Sequence, residues 1–157
     1  MHDADHSPLP PLDDSPFTPL GDAEELFGVP GLPFTPAIRL KPGTELVFAS
    51  GCLGPPDGED DDPSIEAEVR RAYRYLARVL ALAGGGLEHV VSVTKFLTNL
   101  ERDNATVARV TKEVFPILPT STTVEVSRLV PPDLHFEVNA IAAVPVRPET
   151  ALPDQGG

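Results

Sequence analysis

Two segments near the end of the chain decide its fold: Pro119-Thr-Ser-Thr-Thr-Val-Glu-Val-Ser-Arg-Leu129 and Leu134-His-Phe-Glu-Val-Asn-Ala-Ile-Ala142. In both, polar and apolar residues alternate with the period of two that predicts a half-buried strand. We expect the two strands to pair as a closing hairpin. Because side chains two residues apart share a face, the hairpin would carry one polar face, formed by Ser121, Thr123, Glu125, Glu137 and Asn139.

This polar face is open to two interpretations. A monomer would leave it in contact with water, as antiparallel sheets often do. An oligomer would bury it and convert it into polar clefts between subunits. The residues alone do not decide between the two.

The elements before the hairpin follow from apolar periodicity and turn residues. Short strands are expected at 24–28 and 34–40, and the second is expected to form a hairpin with a strand at 45–49. Pro63 and Ser64 open a long helix with one apolar stripe, which ends at the three glycines 84–86. A strand at 89–98 and a second helix, capped by Asn99 or Asp103, complete the order. This order predicts an α+β fold, a mixed sheet with two helices packed on one face.

Composition sets the domain boundaries. The 157 residues suit one domain. Residues 1–22 are rich in proline and acidic residues, cannot bury enough apolar surface to offset their ordering entropy, and are predicted to be a flexible tail. The same prediction applies to 147–157, so that the folded domain spans 23–146.

Charge argues against nucleic acid as a partner. The formal net charge is −12, whereas nucleic-acid binders use basic patches to displace counterions from phosphates. The densest basic cluster is Arg70, Arg71, Arg74 and Arg78, which we interpret as a solvated helix face.

The remaining composition predicts a cytoplasmic protein without metal or cofactor. Cys52 is the one cysteine, so no internal disulfide can form, which fits a reducing compartment. The beginning of the chain lacks a signal-peptide pattern, and no apolar run approaches the ~20 residues that span a bilayer. The four histidines have no metal-ligand spacing.

Five stretches, in order along the chain, resemble the Rid/YjgF family of small trimeric proteins. They are Pro33-Phe-Thr-Pro-Ala-Ile38, Leu46-Val-Phe-Ala-Ser-Gly51, Val90-Val-Ser-Val-Thr-Lys-Phe-Leu-Thr98, Thr122-Thr-Val-Glu-Val-Ser-Arg-Leu129 and Phe136-Glu-Val-Asn-Ala-Ile-Ala142. The resemblance implies a homotrimer shaped like bacterial chorismate mutase, with clefts between subunits. It also implies hydrolysis of imines and enamines of 2-amino acids to 2-keto acids and ammonia.

The resemblance assigns roles by position. Glu137 matches a glutamate that positions the attacking water, and a carboxylate can accept a proton from that water. Alternatively, Glu137 is an ordinary polar residue at a subunit boundary. Gly51 matches the turn glycine of the substrate site. Cys52 is a thiol beside the cleft or a small buried apolar group, and Phe34 shapes an apolar wall or belongs to the core.

Ser121 departs from the family pattern, because the deaminating members have an arginine there that binds the substrate carboxylate. A hydroxyl cannot replace the two charge-assisted hydrogen bonds of a guanidinium. Ser121, Thr122 and Thr123 instead form a hydroxyl-rich wall that suits a neutral or weakly charged polar ligand. We therefore expect either a hydrolase or deaminase with an altered small-molecule substrate, or a trimer that binds a metabolite without turnover.

Overall fold

The computed structural model describes residues 15–58 and 61–146, which form six strands and three helices. The strands are β1 (Phe17–Leu20), β2 (Ala37–Leu40), β3 (Thr44–Leu53), β4 (Val90–Leu97), β5 (Thr120–Glu125) and β6 (Phe136–Pro145). The helices are α1 (Ala23–Phe27), α2 (Ile65–Ala81) and α3 (Leu100–Val114), and a 3-10 turn at Leu87–His89 precedes β4. The tail predicted at 147–157 lies outside the described residues. Of the tail predicted at 1–22, residues 1–14 also lie outside them.

The α+β prediction is confirmed. Four strands form a mixed sheet in the order β3-β6-β4-β5. Helix α2 packs on β3 and β6, while α3 packs on α2 and β4. The main core lies between this helix layer and one face of the sheet, which we call the inner face; its side chains include Tyr73, Leu76, Val93, Val107, Phe136 and Val138.

Helix α2 forms because a cap and an apolar stripe coincide. The Ser64 hydroxyl accepts a hydrogen bond from the Ala67 N–H at 3.2 Å, so Pro63 lies outside the helix. The buried stripe agrees with the predicted one at Val69, Ala72, Tyr73, Leu76 and Leu80. One basic residue was predicted wrongly: Arg71 is not solvated but 3% exposed, and it donates to the Gly54 and Asp62 carbonyl oxygens and to Asp61.

The predicted closing hairpin is wrong, because β4 lies between its two strands. β5 pairs in parallel with β4, and β6 pairs antiparallel with both β4 and β3. The β4-α3-β5 segment is a crossover unit, which places β5 beside β4 at the edge of the sheet. Alternation identifies a strand, but it does not identify the neighbour of that strand.

The start of the domain also differs from the prediction. Residues 24–28 were expected to be a strand but lie in or just after α1, whose cap is the Asp22 carboxylate, which accepts from the Glu25 N–H at 2.9 Å. β2 pairs with β1 and not with β3. The tail predicted for 1–22 therefore contains a strand. Its Phe17 ring is 1% exposed and packs with Val91 and Ala143 in a second apolar cluster.

Candidate functional site

A β-bulge in β3 builds the most specific local geometry of the sheet. Ala49 pairs with Ala140 and Cys52 with Val138, so two residues of β3, Ser50 and Gly51, lie opposite Asn139 alone. Such a bulge bends the strand and redirects the side chains next to it.

The bulge brings Gly51 and Glu137 together. A Cβ atom built on Gly51 would lie 1.7 Å from Glu137 Oε1 and 2.7 Å from its carboxyl carbon. The half-buried Glu137 carboxylate thus lies directly over the Gly51 backbone, in space that a side chain would otherwise fill. Two of the residues predicted for the site are neighbours for this reason.

Cys52, next to the bulge, is 7% exposed, and its thiol lies 3.6 Å from the Ser50 carbonyl oxygen. Burial and, secondarily, the negative charge of Glu137 raise the pKa of the Cys52 thiol. Because only a thiolate is a strong nucleophile, this environment favours a protonated, unreactive sulfur.

Ser121 and Thr123 do not share a face with Glu137 in one subunit, so that prediction is wrong. The register aligns Ser121 with Val93, and Thr123 with Lys95. Cross-strand partners share a face, and Val93 and Lys95 are on the inner face, 1% and 2% exposed. Glu137 pairs with Phe96. It therefore lies on the opposite, outer face of the sheet.

Phe34 lies in a third environment. Its ring is tilted against that of Phe27 with centroids 5.9 Å apart, and it lines a concavity of about 330 Å³ together with Asp22 and Leu118. The adjacent Thr35 N–H donates to the Pro119 carbonyl oxygen at 3.0 Å, which ties this loop to the start of β5.

Lys95 is the residue that sequence reasoning missed. Its side chain is 2% exposed, and burial lowers the pKa of Lys95 to about 8. In the part of the chain that the structure describes, no acceptor or carboxylate pairs with its amine. The signal was available in the sequence: β4 alternates Val93, Lys95 and Leu97, so a lysine occupies an inward position.

The buried lysine predicts a pH-dependent stability. The unfolded chain binds the Lys95 proton more tightly than the folded chain, so stability should rise with pH between about 8 and 10.5. The burial penalty is present in full below pH 8, and its relief at high pH amounts to about 3 kcal/mol for a pKa lowered from 10.5 to about 8. Urea unfolding at pH 7 and pH 10 measures the difference. Lys95→Met should lack this rise, and an equal rise in both proteins would contradict the prediction.

Two features are absent from the described residues, a metal-ligand cluster and a membrane-spanning helix. Residues 15–58 and 61–146 contain no group of three or more His, Cys, Asp or Glu side chains that could hold a metal ion. Within the same ranges, no helix combines the length and apolar character needed to cross a bilayer.

Comparisons with known proteins agree on one family. The family model described as Endoribonuclease L-PSP matches residues 30–144. The RutC family protein YjgH of Escherichia coli is 33% identical over 114 residues, which cover 71% of this chain and 83% of YjgH.

Solved structures give the same result. A Mycobacterium tuberculosis protein of the YjgF family is 29% identical, covers 82% of this chain and 99% of its own, and superposes with a TM-score of 0.57. YyfB of Yersinia pestis, from the Rid family, superposes with a TM-score of 0.69 and covers 82% of this chain and 99% of its own. Its sequence identity is 16%, so this likeness shows the fold alone. The sheet order, the Ser-Gly bulge and the sequence matches thus have one explanation: this chain belongs to the Rid/YjgF family, the family of Endoribonuclease L-PSP.

Proposed function

We propose that this protein is a hydrolase that deaminates an imine, enamine or related small metabolite in a cleft between the subunits of a homotrimer. Water adds to the imine carbon and loses one proton, which is passed on to the imine nitrogen. In the resulting carbinolamine the hydroxyl proton moves to the nitrogen as the C–N bond breaks, which releases a carbonyl compound and ammonia. Glu137 orients the water and accepts its proton. Ser121, Thr123, Gly51, Cys52 and Phe34 are the proposed substrate-binding residues.

The position of Glu137 over Gly51 carries this proposal. A glycine in the bulge lets the carboxylate lie against the backbone, and Ser50 and Gly51 beside it are exposed. A carboxylate that is half-buried but still reached by solvent can hold a water molecule against a bound carbonyl-like carbon.

The uncovered outer face supports assembly into an oligomer. Phe48 lies on this face and is 72% exposed. It borders a concavity of about 180 Å³ with polar side chains, namely those of Ser92, Thr94 and Asn139. Exposed aromatic surface of this kind marks interaction sites. Because Glu137 and Ser121 lie on opposite faces of one sheet, only two neighbouring subunits could direct both into one cleft.

Ammonia release tests the proposal. Imines generated enzymatically from neutral, basic and acidic amino acids would be supplied to the wild-type protein and to Glu137→Gln, and light scattering would give the number of subunits. Turnover of at least one imine by a trimer is expected. A trimer that is inactive on all of them would remove the enzymatic proposal.

The alternative is a trimer that binds a small metabolite without turnover. Ser121 favours this alternative, because without a guanidinium at this position the usual carboxylate contact is absent. Thermal stabilisation by a metabolite that is recovered unchanged would support it. Cleavage of RNA would contradict both proposals, and the charge of −12 argues against that activity. Cytoplasmic localisation remains a prediction from the sequence.

Gly51→Ala tests the bulge geometry separately from the chemistry of the carboxylate. The new methyl group would overlap Glu137 Oε1, which belongs to a flexible side chain and not to the backbone. We therefore expect an intact fold, with kcat lowered about tenfold or more because the carboxylate must move. Circular dichroism and ammonia release measure the two effects. Gly58→Ala, where nothing lies within 4 Å of the added atom, is the control. Unchanged turnover in Gly51→Ala would show that the carboxylate does not need this position.

A further inference from the structure

We propose that Lys95, together with the Ser121 and Thr123 hydroxyls, forms a binding site for a carboxylate group of the ligand. This site would specify the charge of the substrate in the proposed function. A role of the site in catalysis rests on that proposed function. A carboxylate-bearing ligand replaces the neutral or weakly charged one that Ser121 alone predicted.

Register places the three side chains together. Lys95 is the direct cross-strand partner of Thr123, and Ser121 lies two residues from Thr123 on the same strand. All three point to the inner face at the edge of the sheet, where β5 has a neighbour on one side only. Ser121 and Thr123 are half-buried, so their hydroxyls are near the rim of the core and not inside it.

The carboxylates near Lys95 have other partners. Three carboxylates on the elements around β4 accept hydrogen bonds from other groups: Glu68 from the His135 and Phe136 N–H groups, Asp103 from Arg102, and Glu125 from the Leu100 N–H. Glu137 of β6 is the register partner of Phe96 and lies on the outer face, opposite to Lys95. The remaining ionisable groups facing this core are the cation Arg71, bound to Gly54 and Asp61, the thiol of Cys52 and the phenol of Tyr73, bound to Thr111. The described residues therefore supply Lys95 with no counter-ion.

The amine of Lys95 is almost wholly withdrawn from solvent, since the residue is 2% exposed. Every fully enclosed side-chain nitrogen or oxygen among the described residues has a hydrogen-bond partner. Lys95 Nζ has none, so it is not fully enclosed even though the residue as a whole is 2% exposed. An ammonium group that is almost fully desolvated and unpaired is costly for the free protein, and a bound anion offsets that cost.

The location also explains how the chain could manage without a guanidinium at position 121. Lys95 projects from the neighbouring strand, two residues along from Val93, which is the register partner of Ser121, so its charge lies beside position 121 and not at it. A substrate bound there would place its carboxylate differently from a 2-iminoacid held by an arginine. The inferred substrate class is therefore a carboxylate-bearing imine or enamine of altered geometry.

Acetate and acetamide test the site, because they have the same shape and differ in charge. The chain contains three lysines, Lys41, Lys95 and Lys112, so their side-chain carbon signals can be followed separately by NMR. Acetate should raise the pKa of Lys95 by about one unit or more, as an adjacent opposite charge does. Acetamide should not.

Lys95→Met should weaken acetate binding about tenfold or more, Lys95→Arg should retain part of it, and the control Lys41→Met should leave it unchanged. Equal acetate affinity in folded Lys95→Met and in the wild type would overturn the proposal. So would a wild-type protein that binds no acetate at millimolar concentration, or one whose Lys95 pKa stays constant on saturation.

Mixed trimers separate failure of this site from failure of the proposed function. If Lys95 of one subunit and Glu137 of the next share a cleft, trimers co-refolded from equal amounts of Lys95→Met and Glu137→Gln should regain about a quarter of the wild-type turnover. Acetate binding through Lys95 without any turnover would keep the site and reject the enzyme. Turnover that is insensitive to Lys95→Met would keep the enzyme and reject the site.

Discussion

Replacing Glu137 with glutamine should lower the kcat for imine hydrolysis by about 10²–10⁴-fold, the usual contribution of a general base. The amide has the same shape and can still fill the space over Gly51. It cannot accept a proton from water as the C–O bond forms. The loss should therefore appear in kcat, with KM little changed, because substrate binding does not depend on the proton acceptor.

Glu45→Gln is the matched control for this change. Glu45 is an exposed carboxylate on the same strand as Gly51, and it pairs with Val144 at the far end of β3. The two variants remove the same charge from the same strand pair, and only one lies at the bulge. Ammonia release measured at several substrate concentrations separates kcat from KM. Equal kcat values in both variants would show that Glu137 is a boundary residue without a role in the reaction.

Gly54→Ala should strongly destabilise the folded protein. Its Cβ atom would lie 2.0 Å from the Glu68 carbonyl oxygen and 2.8 Å from the Ala72 nitrogen. Both are backbone atoms of α2 and cannot rotate away, so the helix would have to move off the sheet. The Gly54 carbonyl also accepts from Arg71 Nε at 2.9 Å, and this contact would be strained as well. We expect a loss of about 4 kcal/mol or more, at the extreme of single substitutions.

Urea unfolding, or the soluble yield if the variant does not fold, measures this effect. Gly58→Ala is again the control, since the same atom meets nothing within 4 Å there. It should differ from the wild type by no more than about 0.5 kcal/mol. A Gly54→Ala protein as stable as Gly58→Ala would mean that α2 does not lie this close to β3.

The sequence was sufficient for the longer elements, whose signals are local, but not for the short helix α1, which was predicted to be a strand. The sequence predicted the two long helices, the strand at Val90–Leu97 and the two alternating segments at the end. Helix caps, apolar stripes and alternation each depend on residues that are close together in the chain. The pairing of those strands was not predicted. It depends on the β4-α3-β5 crossover, and no residue in β5 or β6 specifies its neighbour by itself.

The site could be predicted only in part for the same reason. Gly51 and Glu137 were both identified, and the structure brings them together across the bulge. Ser121 and Thr123 were predicted on the same face as Glu137, because β5 was expected to pair with β6. β5 pairs with β4 instead, and this register places both side chains on the inner face. Lys95 was not predicted to be buried, because a lysine within a strand usually points its amine to solvent, and the sequence alone does not show that the inner face covers this one.

The β1 strand alters how the boundary of this domain should be drawn. Phe17 seals part of the outer face against Val91 and Ala143, yet it precedes residue 30, where the match to the family model begins. A fragment trimmed to the shared region would expose a phenyl-sized depression on the sheet. The folded domain of this protein therefore begins before the residues that the family model matches, and a sample prepared for experiments should include β1.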